Sequence, residues 1–313
     1  MSDVDRAVDT AHRILGGVGR RGVPIGPLTT YKVGGSAALF ARVDSMAELE
    51  LVAQAVRESG LPVLVIGRGS NVLVADRGFP GIAVQLGDLA GTVGIPDADG
   101  EPVVRAGASV ALPVLARRTA AAGWRGFEWA VGVPGSIGGA VRMNAGGHGS
   151  DMARSLVGCR VFSIAGGSSS WRSVEAIGLR FRGSDLTDDD VVLDAELRLE
   201  RGDATLAQAE IDEIVKWRRE NQPGGQNAGS VFVNPVPGEI AAGQLIDRLG
   251  LRGLRIGTAE VSRKHANFIQ ADESGRADDV FSLMCRVRDL VEAEFGYRLR
   301  SEVRLVGFTG DPL

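Results

Sequence analysis

The stretch Ala130–Gly149, AVGVPGSIGGAVRMNAGGHG, constrains this chain most, because glycine recurs through it at Gly132, Gly135, Gly138, Gly139, Gly146 and Gly147. Glycine reaches positive φ and lacks the Cβ that would hold a ligand off, so main-chain N–H groups in such a segment can converge on an anion. Pro134 fixes one φ just ahead of the cluster, and the pattern predicts a short helix over Ala140–Asn144 whose N-terminus adds its dipole. Within the stretch only Arg142 and His148 are able to carry positive charge. The plain alternative is a glycine-rich surface turn. With 44 glycines among 313 residues, a lone GSIGG carries little weight. A second element of the same character, Gly67-Arg68-Gly69-Ser70-Asn71, directly follows the strand-like run Leu61–Ile66. Two cradles point to a diphosphate.

At 313 residues the chain exceeds the usual single-domain size, and two or three domains are expected. Its 35 Lys and Arg against 39 Asp and Glu give a net charge of −4, which leaves no footprint for general nucleic-acid or membrane binding. Cys159 and Cys285 stand far apart with no metal-type spacing, so they read as small buried apolar residues in a reducing interior, and no metal is expected. The N-terminal MSDVDRAVDTAHRILGG opens with acids and holds no long apolar run. Neither a signal peptide nor a span is predicted there, and a cytoplasmic location is expected.

Helical spacing predicts a helix over Asp5–Leu15, stopped by Gly16 and Gly17, and another through Ser59 opened by a Ser45/Glu48 capping box. Strand-like runs follow at Leu28–Gly35, Ala38–Val43, Leu61–Ile66, Val72–Val74, Ile82–Val84 and Val103–Ala106, then a helix over Val110–Ala122. Further strands are predicted at Val157–Phe162 and Val191–Leu199 and a helix at Leu206–Glu220. Pro223-Gly224-Gly225 then breaks the chain and marks a domain boundary. Beyond it the pattern predicts a helix at Ile240–Leu249, a short strand at Ala266–Gln270, a long helix at Ala277–Phe295 and a closing strand at Glu302–Val306. This alternation is α/β or α+β in character. No G-x-G-x-x-G opens a helix directly after a first strand, so a nicotinamide-type Rossmann domain is disfavoured.

Three polar positions near these junctions bear on chemistry. Ser230, in AGSVFVNP, reads on spacing alone as a turn serine bonded to its own backbone. The surrounding motif is not G-x-S-x-G and no histidine is set up as its base, which argues against an acyl-enzyme hydrolase. Arg182, between two strands, reads as a solvated charge, and Glu302, opening an apolar strand, as an edge carboxylate. Taken one at a time, none of them decides anything.

Six motifs in order change that: LTTYKVGG (28–35), GRGSNVL (67–73), VPGSIGGAVRMN (133–144), GSVFVNP (229–235), HANFI (265–269) and SEVRLVG (301–307). Their order and spacing, from about Leu28 to Gly307, resemble those of the UDP-N-acetylenolpyruvoylglucosamine reductases, flavoenzymes of peptidoglycan precursor synthesis. The resemblance implies an α+β chain: a two-subdomain FAD-binding domain of the vanillyl-alcohol-oxidase type, then a smaller α+β substrate-binding domain. On that basis 1–27 is a lead-in helix, 28–222 the FAD domain (about 28–88 and 89–222) and 223–313 the substrate domain. The implied FAD site comprises Gly67, Arg68, Gly69, Ser70 and Asn71 with Val133, Pro134, Gly135, Ser136, Gly138, Gly139, Arg142 and Asn144. NADPH is expected to reduce the flavin, and hydride then passes to C3 of the enolpyruvyl group, building negative charge at C2 and its carboxylate.

The family's catalytic positions match Arg182, Ser230 and Glu302. The resemblance implies that Arg182 holds the substrate carboxylate, Ser230 protonates C2 and Glu302 assists the enol-like intermediate by a hydrogen bond. Asn234 is expected to support Ser230, with Arg219 and Lys264 as candidates for the substrate's diphosphate. Two departures stand out, since the family commonly has Tyr where Phe181 stands and often Lys at Val233. The chain also lacks room for the tyrosine-bearing loop of the longer subtype, which places it with the shorter one. The alternatives are a sugar or lactone oxidase on the same fold and a non-catalytic flavin or nucleotide binder. Such oxidases usually attach flavin through His or Cys in the first cradle, where this chain has Arg68 and Ser70. The expected protein is a monomer acting on a nucleotide sugar, away from nucleic acid and membrane.

Overall fold

Two serines start the fold. Ser2 and Ser45 each accept the N3 amide on Oγ and donate their own backbone N–H to the N3 carboxylate, so capping boxes open the helices Asp3–Leu15 and Met46–Ser59. The computed structural model describes residues 2–97 and 100–309. It divides into a first unit, Met1–Gly22, Ala38–Arg68 and Pro80–Arg218, and a second, Val23–Ala37, Gly69–Phe79 and Arg219–Leu313. Residues 28–37 and 69–79, which sequence reasoning grouped with the FAD domain, thus fall in the second unit.

Two sheets of four and five strands dominate the first unit. One has the strand order Gly19–Pro24, Ser36–Val43, Phe79–Leu86, Val63–Val65, with the last pair parallel and Val63 opposite Ile82. The other is antiparallel throughout, in the order Ser168–Ser173, Leu156–Ser163, Asp190–Arg198, Val103–Gly107, Val93–Gly94. Alternate apolar residues of these strands face one core, and the helices Leu112–Ala121, Ile137–Met143 and Ala204–Asn221 cover it with Leu115, Ile137, Val141 and Ile211.

The second unit is built on the helix Ala277–Phe295, whose Val280, Leu283, Met284, Val287 and Val291 are buried. Around it lie the helix Ala242–Arg248, the antiparallel strands Arg255–Ile256, Ala259–Val261 and Ile269–Ala271, and a parallel pair joining Val72–Val74 to Arg304–Val306.

Several elements differ from expectation. The run Leu28–Gly35 is a loop after the 3-10 turn Gly26–Leu28, with Lys32 at φ 55. Its backbone bonds reach out to Gly69 and Ala75, so no strand partner is left for it. The helix expected at Ala140–Asn144 starts at Ile137 and ends at Met143, with Asn144 as its left-handed cap at φ 40. The closing strand begins at Arg304, which leaves Glu302 in the bend before it. The short strand expected at Ala266–Gln270 lies at Ile269–Ala271.

Candidate functional site

The glycine-rich loop of the first unit is laid backbone to backbone on residues 108–112. Leu112 N–H donates to the Gly135 carbonyl at 3.0 Å, Ile137 N–H to Val110 at 2.9 Å and Gly138 N–H to Ala108 at 2.9 Å. A Cβ on Gly138 would stand 2.9 Å from the Ala108 Cβ, so this glycine serves close packing. Gly139 differs. Its nearest neighbour beyond the helix is the Ser136 Oγ at 3.6 Å, and the residue is exposed. Ser136 opens the helix without a side-chain cap bond, and a Cβ on Gly67 would come within 2.4 Å of its Oγ, so the two glycine segments meet there. Nearby in the chain, the buried Trp129 Nε1 has no partner among the described residues. An open glycine face and a hydroxyl not used as a cap fit a phosphate-bearing cofactor.

Arg142 and Asn144, expected at that cofactor, also make bonds within the protein. The Arg142 guanidinium pairs with Asp188 at 2.6 Å and bonds the Thr187 carbonyl, while its own carbonyl accepts from Ser184 Oγ at 2.7 Å. The buried Asn144 accepts from Ala153 N–H at 3.0 Å and donates to the Arg180 carbonyl at 3.2 Å. Both residues thereby hold the loop Arg180–Gly183, which is closed by reciprocal bonds between Arg180 and Gly183 and carries Arg182 at φ 56. The Arg182 guanidinium lies 5.3 Å from the centre of the exposed Phe181 ring.

In the second unit Ser230 follows Gly229, which adopts φ 78. The next residues run beside Glu302: Glu302 N–H donates to the Val231 carbonyl at 2.8 Å, and Phe232 bridges to Ser301. Asn71, expected in the phosphate cradle, directs its carboxamide to the Glu302 carbonyl at 2.9 Å and accepts Arg304 N–H on its own carbonyl at 3.0 Å. Ser230 and Glu302 are therefore brought together, whereas Arg182 belongs to the other unit.

Of the remaining expected residues, Lys264 bonds the carbonyl of Arg219, so these two cations are gathered on one exposed patch. Asn234 Oδ1 accepts Ala242 N–H at 3.1 Å and so fixes the start of a helix. Gly69, at φ 61, packs on the backbone of Leu28 and Thr29, and its carbonyl accepts Thr30 N–H. Arg68 is exposed and Ser70 half-buried. His148 brings no charge to the cradle at neutral pH: burial, helped by the Arg218 charge, holds its imidazole below the ordinary 6.5. Sequence reasoning missed Asn267, a buried asparagine that bonds the Ser230 segment through its side chain. A polar residue inside the apolar run ANFI was the signal for it.

Comparison with known proteins adds to this geometry. Residues 221–306 match the family model for the UDP-N-acetylenolpyruvoylglucosamine reductase C-terminal domain, and residues 37–170 match that for an FAD binding domain. The reductase of Gloeobacter violaceus is 44% identical over 91% of this chain and 95% of its own length. That of Heliobacterium modesticaldum is 40% identical over 92% and 90%. The crystal structure of the Thermus caldophilus reductase matches with a TM-score of 0.77 at 34% identity, covering 91% of this chain and 97% of that one.

Proposed function

The chain belongs to the UDP-N-acetylenolpyruvoylglucosamine reductase family, and from that premise we propose how its residues divide the work. It is an FAD-dependent oxidoreductase of peptidoglycan precursor synthesis that reduces UDP-N-acetylglucosamine enolpyruvate to UDP-N-acetylmuramate. NADPH is the reductant. When bound, the flavin supplies the hydride that C3 of the enolpyruvyl group receives. Gly67, Gly135, Ser136 and Gly139 would hold it, the open Gly139 face and the uncapped Ser136 hydroxyl serving its phosphates, while Gly138 packs the loop on Ala108.

Hydride addition at C3 leaves an electron pair at C2, delocalised into the carboxylate. Arg182 meets that charge with a permanent cation and a planar fork. Ser230 delivers its hydroxyl proton to C2, which completes addition of two hydrogens across the double bond. Glu302, alongside, supports the enol-like intermediate by hydrogen bonding. The exposed Arg219 and Lys264 face the substrate diphosphate, a role that Phe181 and Val233 leave unfilled. The observation that carries this assignment is the 2.8 Å bond from Glu302 N–H to the Val231 carbonyl, which sets the carboxylate residue beside the serine segment. Among the described residues no helix is long and apolar enough to cross a membrane. A monomeric state and a cytoplasmic location complete the reading.

Anaerobic stopped-flow kinetics tests the serine's role. Ser230→Ala is expected to leave flavin reduction by NADPH nearly intact and to slow reoxidation by the enolpyruvyl nucleotide by about 10²–10⁴-fold. Equal slowing of both half-reactions would make the serine a structural turn.

A further inference from the structure

The segment that follows Ser230 is bonded along both edges. On one edge stand the Glu302 bond already described and Val233 N–H to the Arg300 carbonyl at 3.0 Å. On the other stands a single residue. Val231 N–H donates to the Asn267 main-chain carbonyl at 2.8 Å, Phe232 N–H donates to Asn267 Oδ1 at 3.0 Å, and Asn267 Nδ2 donates to the Phe232 carbonyl at 2.8 Å. The carboxamide offers the same donor and acceptor as a peptide unit, so it bonds Phe232 as a neighbouring strand would. Asn267 is 5% exposed and Phe232 1%, which shields both bonds from water. Asp would keep the shape but lose the donor, and would set a carboxylate oxygen against the Phe232 carbonyl.

Ahead of Ser230 the hold is local: Gly229, at φ 78, donates its N–H to Asn227 Oδ1 at 3.0 Å. Beyond Ser230 it is long-range, through the bonds of Val231 and Phe232 to Asn267 and Glu302. We propose that Asn267 is a positioning residue for the proton donor, its carboxamide locking the register of the serine segment against Glu302. It touches neither substrate nor cofactor and acts through the Phe232 backbone. The proposal rests on the assignment of Ser230 as proton donor.

The test uses flavin-loaded enzyme and the two half-reactions, with Asn267→Ala, Asn267→Asp, Ser230→Ala and the double variant Asn267→Ala/Ser230→Ala. Each Asn267 variant is expected to change flavin reduction by NADPH less than about twofold. Reoxidation by the enolpyruvyl nucleotide should slow by about 10- to 100-fold, the scale of a 1 Å misplacement. Its solvent isotope effect should grow, while substrate affinity, read from the absorbance change of oxidised flavin on binding, stays within about threefold. In the Ser230→Ala background Asn267→Ala should add less than about twofold. Equal slowing of both halves, an unchanged isotope effect, or a full additional loss in the double variant overturns the positioning role and leaves the serine assignment standing. If Asn267→Ala does not fold, Asn267→Asp decides alone by the same readouts. Unchanged reoxidation in Ser230→Ala removes the donor assignment first, and this proposal with it.

Discussion

Arg182 in the first unit and Ser230 in the second both stand where the backbone turns left-handed, but the two regions reach that geometry by opposite routes. The serine follows a glycine, Gly229, that takes φ 78 without strain, and is steadied from beyond by a doubly bonded segment. The arginine takes φ 56 on its own backbone, inside a loop held by Asn144, Ser184 and the turn between Arg180 and Gly183. An L-residue at such φ costs about 1–2 kcal/mol, and strain of this kind persists only where the surroundings over-determine the conformation. The second region thus obtains its precision by bonding the chain on both sides of an unstrained glycine turn, and the first by forcing a tight one.

Relief of the strain separates the two most sharply. Arg182→Gly is expected to slow reoxidation by the enolpyruvyl nucleotide by about 10²–10³-fold, the scale of losing one charge-stabilising contact. It should also raise unfolding stability in urea by about 1 kcal/mol as the forced φ disappears. A variant that is slow and also less stable would mean that the loop is not strained, and the contrast would fail.

The helix Ile137–Met143, whose C-terminal Asn144 anchors the arginine loop, opens on adjacent glycines that serve different ends. Gly138→Ala meets the Ala108 Cβ at 2.9 Å and is expected to destabilise by about 1–3 kcal/mol. Gly139→Ala has no such neighbour and gains helix propensity of about 0.5–1 kcal/mol, so it should be as stable as the parent without cofactor. It should nevertheless retain flavin less well, which equilibrium dialysis against FAD measures. Undiminished flavin affinity would take Gly139 out of the cradle.

The smallest expected effect is on pH dependence. Burial, with Arg218 second, holds His148 below 6.5 in the first unit; burial, with Arg252 second and Asp247 opposing, holds His265 below it in the other. A depressed imidazole favours the fold in its neutral form. Both contributions are complete above 6.5 and are lost as pH falls through the lowered values. His265 Nδ1 accepts Asn267 N–H at 3.2 Å, so acid should loosen the serine region in particular. Urea midpoints measured from neutral pH down to about pH 5 should fall, and His265→Asn, which keeps an acceptor there, should flatten the curve. A parent curve that is already flat would remove the histidines from the comparison.

Local chemistry made part of this fold legible. The capping box at Ser45 and Glu48 and the apolar spacing of Ala277–Phe295 mark their helices within the residues themselves. Leu28–Gly35 misled because its apolar and β-branched letters suit a strand, while the bonds that make it a loop come from Gly69 and Ala75, far along the chain. The strand Ser168–Ser173 escaped notice as an exposed edge with Trp171 its only large apolar residue. At the site, Arg182, Ser230 and Glu302 were proposed by motif, and Asn71 and Asn144 were placed at the phosphates by the same resemblance. Their carboxamides also hold protein carbonyls, a use that no spacing reveals.

The bond from Asn71 to Glu302 joins residues 231 positions apart, and the strand Val72–Val74 finds its parallel partner in Arg304–Val306. A ribosome making this chain releases the early half of that pairing long before the late half exists. The edge of Val72–Val74 stays uncovered until synthesis has passed Val306, and the serine gains its glutamate neighbour only once Glu302 has been made.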